Sequence, residues 1–276
     1  MSSLGDNKKF MHEAKMASRH SERVEQVRRL AATVSGFTGI LIAWQYGARF
    51  AHLPAYILPV PTAIAVRFWQ TLTVQAHHLG VTAATTTIGL AMSLVVGVLL
   101  ALSVIYIRPL KAIVLPVLAA FNSIPKIAIA PLFVIWFGLG SEPKVLLAFL
   151  LGLFPVFVNS VTGLGEIEPD VLDLARLAGG TQWRMFRKVR LMHAVPYIID
   201  ALKVAFPLAL VGSIVGEFIG GNDGVGYLIL SGQFNMDTPL VFACLVSITL
   251  FTGLGIGVVA LLERIFLKWS PSRRKR

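Results

Sequence analysis

Residues Asp173 to Pro196 read DLARLAGGTQWRMFRKVRLMHAVP. They lie in a charged segment, Glu166 to His193, that separates two long apolar runs. Pro169 suits a helix start, and Asp170 and Asp173 follow in the first turn, where negative charge meets the positive end of the helix dipole. Gly179-Gly180 ends that piece, because glycine readily takes the left-handed conformation of a helix terminus. Thr181 suits the cap of a second helix. On that helix Trp183, Phe186, Val189 and Met192 share a face, with Arg184, Arg187, Lys188 and Arg190 mostly elsewhere. Pro196 marks the start of the next apolar run. Two readings are open: an elbow rigid enough to transmit force from a soluble partner, or a solvated basic loop held by anionic lipid.

The flanking runs, Val145–Leu164 and Ala194–Ile219, each approach or exceed the roughly 20 residues that cross a bilayer. Similar runs cover Leu30–Leu53, Val81–Ile107, Ile113–Phe137 and Leu240–Leu262. The first is too long for the core of a cleaved signal peptide and reads as a retained helix. Between it and the second, Leu53–Pro61 (LPAYILPVP) is too rich in proline for a regular helix. Residues 62–79 suit a short helix at the membrane surface. The expectation is an all-α membrane protein of about six transmembrane helices. It is organised as an N-terminal cytoplasmic extension (1–29), a membrane domain (30–268) containing the loop 166–193, and a basic tail (269–276).

Composition agrees. Hydrophobic residues make up 55% of the 276-residue chain and charged residues 14%, against about 25% charge in soluble domains. The net charge of +11 needs no nucleic acid. With the N-terminus inside, the Lys and Arg residues of 1–29, 108–111, 176–190 and 264–276 all fall on the cytoplasmic side. Arg49, Arg67 and Lys144 alone fall opposite. Both termini are therefore expected in the cytoplasm. The single cysteine, Cys244, sits in an apolar run and reads as a packing residue; it forms no intramolecular disulfide or thiolate cluster.

The 173–196 segment resembles the EAA loop of permease subunits in binding-protein-dependent ABC importers. Asp173 stands at the family's Glu position, Leu174 and Ala175 at its alanines, Arg176 at its Arg and Gly179 at its glycine. Trp183, Phe186 and Val189 follow the aromatic and apolar positions. Leu191 matches the Leu of a Leu-Pro pair whose proline is replaced by Met192, and Pro196 matches a second proline. The resemblance spans roughly residues 54–268. NSIPKIAIAPLFVIWFGLG (Asn122–Gly140) and VGEFIGGNDGVGYLI (Val215–Ile229) are similar to the nitrate/sulfonate/taurine branch.

The resemblance implies a type I importer permease in the cell inner membrane. Its partners would be a cytoplasmic ATPase dimer, a periplasmic solute-binding protein and a second permease copy, commonly forming a homodimer. It implies ATPase docking through Asp173, Ala175, Arg176 and Gly179, supported by Trp183, Arg187 and Pro196. No phosphate loop is present, so the chain is not expected to bind ATP in that manner, and ATP hydrolysis is expected from the separate partner subunit. No cofactor or metal site is expected, and His77-His78 reads as an interfacial patch. The implied solute is an anion such as a sulfonate, nitrate or taurine, with pyrimidine vitamin precursors and aromatic acids as alternatives.

Polar residues inside spans are candidates for lining a path between two copies, because ionisable groups in hydrocarbon are costly. They are Asn122, Ser123, Lys126, Asn159, Ser160, Lys203, Ser213 and Glu217. Lys126 could contact an anionic solute, snorkel, or pair with Glu217 or a backbone carbonyl. Lys203 suits snorkelling. Pro125, Pro131, Pro155 and Pro207 suit kinks. Gly212, Gly216 and Gly220, and likewise Gly253 and Gly257, suit close helix packing. The loop Gly220–Thr238 suits the docking of a binding protein, with Tyr227 and Leu228 opening a short apolar piece that suits a gate. A secondary transporter and a membrane enzyme are the rival readings. A proton-driven carrier would usually place a carboxylate mid-membrane, whereas Glu217 falls near the outer end of its run.

Overall fold

The computed structural model describes Glu25, Arg28, Arg29 and residues 31–267. Most of the expected 1–29 extension and the 269–276 tail lie outside the described residues. The chain divides into two compact units at Val66–Arg67. In the first, α1 covers residues 31–50. The proline-rich stretch after it is irregular, as expected. Gln45 bridges to Thr62, donating to its Oγ1 and accepting from its backbone N–H, both at 3.1 Å. Helix α2 spans Pro61–Gln70.

The second unit is built on α3 (Leu72–Tyr106), α4 (Arg108–Ser123), α5 (Ala130–Phe137), α6 (Glu142–Gly165) and α7 (Pro169–Leu177). They are followed by α8 (Gln182–Met185), α9 (Leu191–Gly220), α10 (Val225–Phe234) and α11 (Thr238–Phe266). Among the described residues, four helices are long and apolar enough to cross a membrane. A fifth crossing is added if the bent pair Pro109–Ser123 and Lys126–Phe137 forms one. The difference from the expected six is α1, whose C-terminal third carries Gln45 and Arg49 and so dilutes its hydropathy.

Three boundaries differ from the sequence reading. The second span starts at Leu72 rather than Val81. Of the polar residues that suggested a surface helix, Arg67 and Gln70 lie on the short α2, whereas Gln75, His77 and His78 belong to α3, where Gln75 is buried and accepts from Ser247 on α11. The third span is not one helix: its halves meet at 82°. Ile124, forced toward extended backbone by the proline after it, and Pro125, which has no N–H, break the ladder there. Pro196 does not start the fifth span but lies inside α9, which continues from α8 through a π turn at Phe186–Arg190.

The core places α6 between α3 and α9. Small residues bring the backbones together: a Cβ on Gly89 would stand 2.9 Å from Phe149 N, and one on Gly212 would stand 2.6 Å from Leu147 O. Ser93 on α3 donates to the Phe149 carbonyl on α6 at 2.7 Å. The row Gly212, Gly216, Gly220 is in tight contact with α6 and α5, as its spacing predicts. A Cβ on Gly253 or Gly257 would meet nothing within 4 Å, so that row packs against no neighbour among the described residues. Cys244 is fully buried, in keeping with a packing role.

Candidate functional site

The elbow forms from local signals. Helix α7 begins at Pro169 with Asp170 in its first turn. At its end Gly179 takes φ +74°. Its N–H donates to Arg176 O, and the Gly180 N–H donates to Ala175 O, both at 3.0 Å. This paired closure satisfies two carbonyls that the helix end leaves open. Thr181 then caps α8, its Oγ1 accepting from Arg184 N. Arg176 pairs with Asp173 at 2.8 Å, both largely exposed. Met185 faces inward, whereas Leu174, Leu177 and Trp183 are exposed at 69%, 87% and 68%. An apolar surface of that kind on a charged segment needs a partner.

The elbow is anchored to the bundle just behind this surface. Trp183 stacks near Phe186, and Phe186 meets Tyr106 of α3 edge-on. Arg190 donates to Leu164 O at the end of α6 at 3.0 Å and lies over the Tyr106 ring. His193 Nδ1 lies 2.7 Å from Gly163 O. A cavity of about 650 Å³, lined in part by Lys111, Glu166 and Arg190, opens between α3, α6 and this anchor. Arg187 is exposed on the π turn. Pro196 lies one turn inside α9, away from the exposed tip.

The candidate path residues fall into separate places. Asn122, Ser123 and Lys126 gather at the 82° bend. Lys126 Nζ donates to Asn122 Oδ1 at 2.7 Å, so its partner is Asn122 and not Glu217. Asn159, half-buried on α6, donates to Pro155 O at 2.9 Å. The next residue, Ser160, is fully buried and its hydroxyl has no hydrogen-bond partner among the described residues. Lys203 does not snorkel freely: it bridges Asp200 at 2.6 Å and Glu263 of α11 at 2.9 Å.

Glu217 is buried far from the bend residues in sequence. It accepts from Thr82 Oγ1 and from Gly226 N, both at 2.8 Å. Beside it Thr85 and Ser213 share a hydrogen bond of 2.6 Å. Sequence reading singled out Glu217 and Ser213 but missed Thr82, His78, Lys144 and Gly224 around them. The available signal was a carboxylate in an apolar run followed at once by the glycine-rich GGNDGVG.

Several long apolar helices, with a charged elbow between two of them, define a polytopic membrane protein. The chain belongs to the binding-protein-dependent transport system inner membrane component family, whose pattern matches residues 93–269. It is 33% identical to the riboflavin transport system permease protein RibX of Chloroflexus aurantiacus, over 95% of this chain and 100% of that protein. It is 35% identical to the formylaminopyrimidine transport permease protein ThiX of Halalkalibacterium halodurans, over 84% and 93%. It is 27% identical to the putative aliphatic sulfonates transport permease protein SsuC of Bacillus subtilis, over 84% and 85%. In fold it resembles a chain of the inward-facing MetNI methionine ABC transporter, with a TM-score of 0.54 and 20% identity over 76% of this chain and 98% of that one. The chain is thus a type I ABC importer permease, a transport subunit and not an enzyme.

Proposed function

We propose that this permease moves its solute from periplasm to cytoplasm by alternating access, driven by a separate ATPase dimer that grips the elbow. The observation that carries this is the elbow's make-up: a rigidly closed helix end with Leu174, Leu177 and Trp183 exposed around Asp173, Ala175, Arg176 and Gly179. Arg187 flanks that surface, and Pro196 lies within the helix behind it. Closing of the ATPase would push the elbow, and α8 with the π turn would pass that push along α9, two packings of one bundle giving two states. The charge pattern supports an inner-membrane protein with both termini in the cytoplasm.

The path lies between two copies of this chain, with Asn122, Ser123, Lys126 and Asn159 toward it and a solute-binding protein at the periplasmic face. In domain terms, 30–268 is the membrane unit, 166–193 its coupling loop, and 1–29 and 269–276 are cytoplasmic flanks. For the solute, the relatives at 33% and 35% identity are named for riboflavin and formylaminopyrimidine, which supports a heteroaromatic vitamin or precursor. A second reading, an anion such as a sulfonate, nitrate or taurine, is favoured by Lys126, half-buried at the bend, and by the sulfonate relatives. Mass spectrometry of the ligand carried by the co-purifying binding protein decides between them. Proton-driven uptake that persists after ATP depletion and without the ATPase would overturn the proposal.

A further inference from the structure

Helix α10 has 10 residues, about 15 Å of helix, half of what a bilayer core requires. Both of its ends are tied to other elements. At its N-terminal end three successive backbone N–H groups are taken up by side chains. Gly224 N donates to His78 Nδ1 at 3.1 Å, Val225 N to Thr82 Oγ1 at 2.9 Å and Gly226 N to Glu217 at 2.8 Å. Lys144 of α6 donates to the Asp223 carbonyl at 2.9 Å. At the other end Asp237 pairs with Arg67 and caps α11.

Glu217 is the centre of the first tie. It is fully buried and spans α3, α9 and α10 through Thr82 and Gly226. A helix N-terminus leaves N–H groups unpaired and favours negative charge beside it. The glycines are shaped to this carboxylate. Gly224 has φ +108°, and a Cβ there would overlap the Glu217 carboxyl group; a Cβ on Gly226 would stand 2.8 Å from Glu217 Cβ. Beneath α10, Val225, Leu228 and Ile229 pack on Leu240 and the sole cysteine, Cys244.

We propose that α10 is a seated gate segment of the permease and that Glu217 is its positioning residue. The carboxylate holds the first turn of α10 down against α3 and α9, and with that bond lost α10 lifts and uncovers Cys244. This rests on the permease reading for the word gate alone; the test below needs neither ATPase nor solute, so its failure leaves the elbow assignment untouched.

Full-length chain in native membranes is treated with N-ethylmaleimide. Cys244 is expected to stay protected in the parent chain. In Glu217→Ala, and independently in Gly224→Ala, its labelling is expected to rise by at least about tenfold, as for a local opening. A second reporter separates local from general loosening: Ala101→Cys, at a fully buried site in another cluster, is placed in a Cys244→Ser background with Glu217→Ala, and is expected to stay protected. Continued protection of Cys244 in both variants overturns the proposal. Labelling of both reporters overturns it too, since Glu217 would then hold the bundle as a whole.

Discussion

Arg190, in the π turn that leads into α9, donates to the backbone carbonyl of Leu164 at the end of α6, 3.0 Å away, while its guanidinium lies 5.8 Å from the centre of the Tyr106 ring on α3. One side chain therefore ties the root of the elbow to two helices of the bundle. Arg190→Ala leaves the Leu164 carbonyl without that donor and removes the stack, a loss of about 1–3 kcal/mol. A lowered melting temperature in detergent and a several-fold fall in ATP-driven uptake are expected. Arg190→Lys should recover little of this, because a lysine lacks the planar fork. Unchanged melting and uptake in the alanine variant would remove the anchoring role.

Arg176 is exposed and, among the described residues, its side chain pairs with neighbouring Asp173 alone, so the bundle does not depend on it. Arg176→Glu is expected to insert and fold normally, to lose co-purification of the ATPase, and to abolish transport. Normal uptake by this variant would refute the docking assignment.

The two glycine rows make a paired test of packing. Gly212→Val places a Cβ 2.6 Å from Leu147 O against backbone that cannot yield, an overpacking penalty of about 1–3 kcal/mol or more. Gly253→Ala meets nothing within 4 Å and should stabilise its helix by about 0.5–1 kcal/mol. Thermal unfolding of the two purified variants should move in opposite directions. Equal destabilisation would mean that a second copy of the chain closes on Gly253.

Lys203 sits between Asp200 and Glu263 at 2.6 and 2.9 Å and links α9 to α11. Lys203→Glu would gather three carboxylates and should lower stability by about 1 kcal/mol or more. The exchange Lys203→Glu with Glu263→Lys should restore part of the loss. A double exchange no better than the single variant would show that the pair does not join the helices.

The elbow was the most legible feature because every signal for it is local. Pro169, Asp170, Gly179 and Thr181 each act on their own few residues, and the observed caps follow them. Long helices were legible through hydropathy, but not where pairing across helices hides polarity: Gln75 reads as surface and is buried against Ser247. Pro125 announced a kink, while the size of the 82° bend depends on how the two halves pack. The π turn at Phe186–Arg190 left no mark in the pattern, so Pro196 was read as a boundary. The partner that donates to Glu217 from α3, Thr82, is 135 positions away, beyond the reach of any spacing rule.

The bond between Glu217 and Gly226 N joins residues 9 positions apart, and ribosomes build chains from the N-terminus. When α9 first enters the bilayer, Thr82 is already in place, but the amide that completes the carboxylate's shell belongs to a helix not yet seated. Until α10 is seated, a nascent chain carries a half-solvated acid. Substitutions that delay the seating of α10 should therefore show first as poor biogenesis and quality-control degradation, before any defect in the mature transporter is felt.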